Sequence, residues 1–151
     1  MAAIALVTTA VLHDLGRLRP GVAAALERFR LREVGVAVLA GDAAEATAAE
    51  TALGDLPRLG IWVPADAKEA LPRPRLLLRC LRETGAEGPR SWLIAAEPSL
   101  AATAGQAGLA GCVLVHGAVP PADDHGLVMA TAADLADAPR VMIPKGGGCW
   151  H

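Results

Sequence analysis

The chain has 151 residues, of which 53% are hydrophobic and 20% are charged, so it can bury the core of one compact domain, and disorder is excluded as its default state. Its net charge of −2, its pI near 6.1 and its single Phe and three Trp provide neither the basic field nor the stacking rings of a nucleic-acid-binding protein. The three cysteines, Cys80, Cys112 and Cys149, are widely spaced and form no CxxC pair, which suggests neither a disulfide framework nor a zinc module and favours a reducing, cytoplasmic setting.

Two apolar stretches resemble targeting or membrane segments at first sight. Residues 2–12 are apolar but follow no basic region, so we predict no signal peptide there. Residues 98–122 carry no charge, but glycines and prolines interrupt them and their apolar residues are mostly alanine. A spanning helix needs roughly 20 strongly apolar residues, so we predict a short helix followed by a buried strand, and no membrane insertion.

Seven short apolar runs along the chain are predicted strands. Most are continuous rather than alternating, as is typical of strands covered on both faces of a parallel sheet. The predicted strands are Ala3–Val7, Val36–Leu39, Gly60–Val63, Trp92–Ala95, Cys112–His116, Gly126–Met129 and Val141–Ile143.

The segments between these strands carry the start and stop signals of helices. Asp or Ser just before a helix caps it, Pro is common in its first turn, and Gly often follows its last residue. Five helices are predicted: one opened by Pro20 with Val22, Leu26 and Phe29 on one face; Ala43–Leu53, capped by Asp42; Arg75–Glu83, opened by Pro74 and followed by Gly85; one from Glu97-Pro98-Ser99 to about Gln106; and Ala132–Ala138, with Thr131 and Asp134 as a capping box and Pro139 as its stop.

The alternation of strands and helices predicts an α/β domain with a mostly parallel sheet between two layers of helices. We assign residues 1–144 to this domain and residues 145–151 to a Gly-rich C-terminal tail.

The order of these elements and three local strings resemble the haloacid dehalogenase (HAD) superfamily, and in particular its small histidinol-phosphate and heptose-bisphosphate phosphatases. The strings are "RPGVAAALERFRLREVGVAVL", "PRPRLLLRCLRETGAEGPRSWLI" and "LAATAGQAGLAGCVLVHG". The resemblance implies a three-layer Rossmann-like HAD core. The span Gly54–Leu71 is too short to hold an inserted cap domain.

The residues that carry catalysis in that family are replaced here. Where the resemblance implies a nucleophilic Asp, an acid/base Asp and a Gly after the first strand, the chain has Val7, Thr9 and Ala10. Valine offers phosphorus no lone pair, so covalent catalysis by this route is excluded.

The other three motifs of the family are also replaced. Ala40 stands where a phosphate-binding Ser or Thr is implied, and Leu71 stands where a Lys is implied. The magnesium-binding positions hold Ala95, Ala96 and Leu100, with Glu97 adjacent. The Cys/His zinc loop of the heptose-phosphatase branch is absent from "WVPADAKEALPRP". Because such charges act as a unit, we expect no HAD-type phosphatase activity, no enzyme and no cofactor, that is, a site lost from a retained scaffold.

Other polar groups are candidates for a new chemistry. His13 and Asp14 follow the first strand near Thr8 and Thr9, and His116 ends another strand; a turn is the favoured interpretation of the His13-Asp14 pair, and a hydrolytic arrangement is the alternative. Asp123-Asp124-His125 is interpreted as a solvated loop rather than a metal site, since adjacent residues rarely converge on one ion. Cys80 and Cys112 are interpreted as core residues.

The tail ends in Cys149, Trp150 and His151 after three glycines. Three interpretations are open: a frayed end, an anchor that docks Trp150 into a partner, and a metal or redox role for Cys149 and His151. We take these three residues as candidate partner-binding residues.

Three functions therefore remain open. The first is an inactive HAD-like protein that is a binding or structural subunit, with another protein or a second copy as partner. The second is a regulatory module that binds a small ligand in the old cleft through the helix N-termini near Gly41-Asp42 and Glu97-Pro98-Ser99. The third is a new enzyme that uses Cys149, His151 or His13.

Overall fold

The computed structural model describes residues 3–142. Its strands, numbered in chain order, are β1 (Ile4–Thr8), β2 (His13–Asp14), β3 (Arg17–Leu18), β4 (Gly35–Leu39), β5 (Gly60–Trp62), β6 (Trp92–Ala95), β7 (Gly111–Leu114) and β8 (Val128–Thr131). Six of them form one parallel sheet in the order β5-β4-β1-β6-β7-β8, and β2 and β3 form a separate antiparallel hairpin. This parallel sheet flanked by helices confirms the predicted fold class.

The central strand β1 pairs with segments that are distant in sequence. Ile4 lies opposite Gly35 of β4, and Ala5 lies opposite Trp92 of β6. The strand order changes direction between β1 and β6, so a crevice opens there at the carboxyl ends of the strands.

The helices cover both faces of the sheet. Their bounds are α1 (Thr9–Leu12), α2 (Val22–Leu31), α3 (Ala43–Leu53), α4 (Arg75–Thr84), α5 (Leu100–Gln106) and α6 (Ala138–Val141), with 3₁₀ turns at Gly88–Arg90 and Leu135–Asp137. Buried residues of α2 and α3 pack with one face of the sheet, and buried residues of α4 and α5 pack with the other. Two hydrophobic layers therefore enclose the strands.

The alternation of side chains along β1 assigns its residues to these two layers. Ala5 and Val7 pack in the layer of α2 and α3, whereas Ile4 and Leu6 pack in the layer of α4 and α5. By the same two-residue period the side chain of Thr8 lies on the α4 and α5 face.

Most predicted elements are confirmed with shifts of one or two residues, but two predictions near the C-terminus are wrong. Val141 ends α6 instead of starting a strand, and Ile143 lies outside the described residues. Thr131 is the last residue of β8, and the Asp134 side chain accepts a hydrogen bond from the Asp137 amide in a 3₁₀ turn. Pro139 lies in the first turn of α6, where its missing N–H costs nothing.

The helical turn α1 and the hairpin of β2 and β3 were not predicted, and His13 and Asp14, interpreted as a turn, form the first strand of that hairpin. The single turn α1 leads directly into the hairpin, whose tip is Leu15-Gly16 with φ values of 49° and 77°. Two consecutive left-handed residues are typical of a tight hairpin turn. Leu15 is 96% exposed there, which is an unusual place for a large apolar side chain.

Among residues 3–142, no helix is both long and apolar enough to cross a membrane. The uncharged stretch 98–122 forms α5 and β7, as expected.

Candidate functional site

A cavity of about 270 Å³ opens at the carboxyl edge of the sheet, and we call it the strand-edge cleft. Residues that follow the ends of β1, β4 and β6 line it, together with the start of α3 and the loop before α4. Its lining residues are Thr8, Thr9, Ala10, Leu39, Gly41, Glu45, Leu71, Pro72, Glu97, Ser99 and Leu100.

Hydrogen bonds of both its backbone amide and its side-chain carboxylate hold Glu45 at the wall of the cleft. Its amide donates to the Asp42 carboxylate (2.8 Å), which caps α3. Its own carboxylate accepts a hydrogen bond from the Thr9 hydroxyl (2.8 Å). A Cβ on Gly41 would meet the Glu45 carboxylate, so Gly41 leaves room for it. The Glu45 carboxylate therefore faces Thr9, just after the end of β1, rather than turning back to its own helix.

Unlike the Glu45 carboxylate, the Thr8 hydroxyl has no hydrogen-bond partner among the described residues. The residue is only 5% exposed. A buried hydroxyl without a partner costs about 1–3 kcal/mol. Because Thr8 lines the cleft, a ligand in the cleft is the natural source of the missing partner.

Glu97 and Ser99 complete the polar lining. Both are exposed at the rim, after the end of β6. The helix that follows, α5, has seven residues, and no side chain caps it. The amides of Leu100 and Ala101 donate to the carbonyls of Glu97 and Pro98, so this end of α5 contributes the side chains of Glu97 and Ser99 to the cleft and not these two amides.

Most positions that the family resemblance implicates carry apolar side chains in the core or in the cleft wall. Val7 is fully buried on the side of the sheet away from Thr8, and Ala40 and Ala95 are also fully buried. Leu71 and Leu100 line the cleft itself. Most polar groups of the cleft therefore belong to residues outside the motif positions. Among the motif positions in its lining, only Thr9 contributes a polar side chain.

The motif comparison missed Glu45 and Thr8. A signal for Glu45 does exist in the sequence, because Asp42 and Glu45 have the spacing of a capping box. That pattern predicts that the Glu45 side chain turns back to the start of its own helix. Instead it accepts a hydrogen bond from Thr9, which lies 36 positions earlier in the sequence.

The candidate histidines lie apart from the cleft. His13 begins the hairpin, and neither of its buried ring nitrogens has a hydrogen-bond partner among the described residues. His116 follows β7 with a left-handed φ of 58°. Burial, followed by the charge of Arg19, lowers the pKa of His116, and Asp134 opposes that shift. Neither histidine lines the cleft, and Asp14 lies exposed at the hairpin.

Cys80 and Cys112 are confirmed as core residues. Both are fully buried, and burial raises the pKa of each thiol to about 12. Such thiols are almost entirely protonated at neutral pH and are poor nucleophiles.

The acidic loop forms local turns. The Asp123 carboxylate accepts from the His125 amide and the Asp124 carboxylate accepts from the Gly126 amide, both at 2.9 Å. Across residues 3–142, no group of three or more His, Cys, Asp or Glu side chains is arranged to hold a metal ion.

The predicted tail residues Cys149, Trp150 and His151 lie outside the described residues. Their role as partner-binding residues stays a prediction.

Comparison with known proteins establishes the fold. No protein-family model and no curated protein matches the sequence. Among solved structures, the chain is similar to D,D-heptose 1,7-bisphosphate phosphatase from B. bronchiseptica in complex with magnesium and phosphate, at 17% identity and a TM-score of 0.68, covering 91% of this chain and 96% of that one.

Two further structures show the same similarity. A predicted phosphoglycolate phosphatase from Haemophilus somnus 129PT has 18% identity and a TM-score of 0.67 over 83% of this chain. A HAD family hydrolase from Deinococcus radiodurans R1 with bound phosphate and sodium has 19% identity and a TM-score of 0.65 over 85%. The chain spans only 57% and 63% of these two proteins. The resemblance to HAD proteins is therefore confirmed at the level of the fold.

The same comparison contradicts the prediction that the chain is not an enzyme. The solved structures that share its fold are named as phosphatases, dehalogenases and hydrolases. The prediction went wrong because it counted only the family's motif positions. A missing nucleophile at Val7 excludes one catalytic route, whereas Glu45 and Glu97 bring two other carboxylates to the same sheet edge.

Proposed function

We propose that the chain binds a small polar molecule in the strand-edge cleft and acts through that site. The buried, unpartnered hydroxyl of Thr8 is the observation that carries this proposal. Ligands of open parallel sheets bind at the carboxyl ends of the strands, where the strand order reverses, and the cleft lies beside β1 at that position.

A thermal-shift screen tests the proposal. We would use phosphosugars, nucleotides, amines, polyols and divalent metals at millimolar concentration. A ligand at about 100 times its Kd stabilises the folded state by about 2.7 kcal/mol, which raises Tm by roughly 5 °C or more. The shift should shrink in Thr8→Val and persist in Thr47→Val, a variant on the exposed side of α3. A panel without any shift contradicts the proposal.

Hydrolysis of the bound molecule is a second candidate function, and the Thr9–Glu45 hydrogen bond favours it. This bond fixes a carboxylate at the wall of the cleft, where it can accept a proton from a water molecule that attacks the ligand. The hydrolase names of the structures with this fold point the same way. Turnover of a panel of esters and phosphate esters should fall at least 100-fold in Glu45→Gln; equal turnover in the variant excludes this role.

A role as a binding or structural subunit, in contact with another protein or a second copy, is a further proposal. Leu15, at 96% exposure on the hairpin tip, and Val119, at 74%, support it. Native mass spectrometry of the purified chain should show self-association that weakens in Leu15→Asn, since Asn also tolerates the left-handed backbone. A monomer at all concentrations contradicts association with a second copy.

We also propose a cytoplasmic setting. Cys80 and Cys112 are free thiols in the core, as expected of a chain kept under reducing conditions.

A further inference from the structure

The charged side chains that line the strand-edge cleft are of one sign. Glu45 and Glu97 contribute carboxylates, and none of the described residues that line the cleft is Lys, Arg or His. A phosphate group would therefore meet two negative charges and no positive side chain there.

The N-terminus of α3 does not reverse this balance. A helix N-terminus ordinarily attracts anions through its free amides and dipole. Here the Asp42 carboxylate accepts from the Glu45 amide, and Glu45 adds a second carboxylate in the first turn. The carboxylates of Asp42 and Glu45 therefore already offset the positive end of the α3 dipole, so this end offers little attraction to an anionic ligand.

The hydrogen-bonding groups of the cleft favour a ligand that donates hydrogen bonds. The Thr9 hydroxyl gives its proton to Glu45, so its oxygen is left as an acceptor. The Thr8 hydroxyl lacks any partner, and the two carboxylates accept only. An ammonium group has three N–H donors and no acceptor, which matches this set better than a phosphate, which is rich in acceptors.

The remaining lining is hydrocarbon. Leu39, Leu71 and Leu100 line the cleft beside these polar groups. Small-molecule sites typically combine such apolar walls with a few polar groups that orient the ligand. The ligand should accordingly carry hydrocarbon next to its polar head.

From these features we infer that the strand-edge cleft selects an organic cation, an ammonium group on a short aliphatic chain, in place of a phosphate ester. This inference rests on the proposed ligand-binding function and names the chemistry of its ligand. A divalent metal fits less well, because no group of three or more His, Cys, Asp or Glu side chains among residues 3–142 is arranged to hold one.

Three compounds with the same four-carbon chain test the inference: butylamine, 1-butanol and butyl phosphate. Each is titrated into the ¹⁵N-labelled chain, and the amide signals of Gly41, Glu45 and Ser99 are followed by NMR. Low ionic strength is used because Glu45 and Glu97 are exposed and salt screens exposed charges. We expect butylamine to bind most tightly, 1-butanol several-fold more weakly, and butyl phosphate not at all.

Charge-neutral variants locate the binding. Glu45→Gln and Glu97→Gln should each weaken butylamine about two- to fivefold, as expected for an exposed charge pair, and leave 1-butanol unchanged. Glu50→Gln is the matched control, because Glu50 is exposed on the same helix and does not line the cleft. It should leave the affinity for butylamine unchanged.

The outcomes separate the two proposals. If 1-butanol or butyl phosphate binds at the cleft amides as tightly as butylamine, the charge inference is overturned and the cleft remains a ligand site. If Glu50→Gln weakens butylamine as much as Glu45→Gln, the attraction is that of the whole surface and the inference is also overturned. If none of the three compounds moves the cleft amides, the inference fails, and the thermal-shift panel decides the ligand-binding function separately.

Discussion

At the start of β1, the buried hydroxyl of Ser91 accepts a hydrogen bond from the Ile4 amide (3.2 Å) and donates one to the Glu87 carbonyl (2.9 Å). At the end of the same strand, the buried hydroxyl of Thr8 has no such partner among the described residues. Both residues are at most 5% exposed. At the start of the strand the Ile4 amide and the Ser91 hydroxyl are both paired within the protein, whereas at its end the Thr8 hydroxyl lines the cleft without a partner among the described residues.

The cavity near the starts of the strands and the strand-edge cleft at their carboxyl ends differ in the same way. The cavity near the starts of the strands, about 200 Å³ in volume, includes Arg30 and Arg58 in its lining. Arg58 donates to the carbonyls of Gly54 and Leu56, both at 2.8 Å, and Arg30 pairs with Glu27. Its cations are therefore already engaged. A cavity alone does not identify a functional site, and the presence of an unsatisfied polar group distinguishes the strand-edge cleft.

The largest effect should follow from Gly111→Ala, near the starts of the strands. A Cβ there would lie 2.6 Å from the Val128 carbonyl oxygen and 2.7 Å from Trp92 Cε3, and Trp92 is fully buried. Such overpacking should lower the free energy of unfolding by about 3 kcal/mol, measured by urea denaturation.

Gly41→Ala is the matched control for that substitution. Its Cβ would meet only the end of the Glu45 side chain, which can turn away. Because turning away would break the hydrogen bond from the Thr9 hydroxyl, we expect a loss of about 1 kcal/mol, well below that of Gly111→Ala. Equal costs for the two alanines would contradict the contrast between a closed edge and an open one.

The next largest effect should come from Ser91→Ala. It leaves the buried Ile4 amide without its acceptor, which costs about 2 kcal/mol. Urea denaturation measures the loss, and Ser99→Ala at the exposed rim should change the free energy of unfolding little. A loss below about 0.5 kcal/mol for Ser91→Ala would mean that another group replaces the acceptor.

Thr8→Val should have the opposite sign to Ser91→Ala. Replacing an unpartnered hydroxyl by a methyl group of similar shape should raise the free energy of unfolding by about 1 kcal/mol. The same variant should bind butylamine more weakly in the NMR titration. If the variant is less stable than the parent chain, the hydroxyl has a partner in solution, and the contrast between the two ends of β1 disappears.

The smallest effect concerns His116, which follows the end of β7. Because burial and Arg19 lower its pKa in the folded state below the ordinary value of 6.5, the unfolded chain binds the proton more readily. Its contribution to stability is complete above about pH 7.5 and is lost as the pH falls through 6.5 toward the folded pKa. His116→Asn, which tolerates the left-handed φ of 58°, should show a smaller loss between pH 7.5 and 5.5 by urea denaturation. Identical losses would show that His116 does not contribute.

The sheet was predictable because its strands are continuous apolar runs bounded by clear helix signals. The run Trp92–Ala95 has the same bounds in the sequence prediction and in the structure. The last elements were not predictable, because Val141 has the β-branched side chain typical of a strand, yet it lies in a turn of helix whose Ala138 packs in the core. There the tertiary contacts outweigh the local propensity.

The site was predictable in position but not in composition. The carboxyl edge of a parallel sheet is expected from strand order alone. The Thr9–Glu45 contact joins residues 36 positions apart. Thr8 stands out because its hydroxyl has no partner among the described residues and the residue also lines the cleft. Neither property has a local sequence pattern, since both depend on which segments the fold brings together.

The position of β1 at the centre of the sheet has a consequence for synthesis on the ribosome. β1 and its neighbour β6 are separated by more than 80 residues, and translation proceeds at about 5–20 residues per second. The apolar residues of β1 must therefore wait roughly 4–17 seconds before their second neighbour exists. During that interval β1 can pair only with β4, so the nascent chain is a natural substrate for chaperones until β6 emerges.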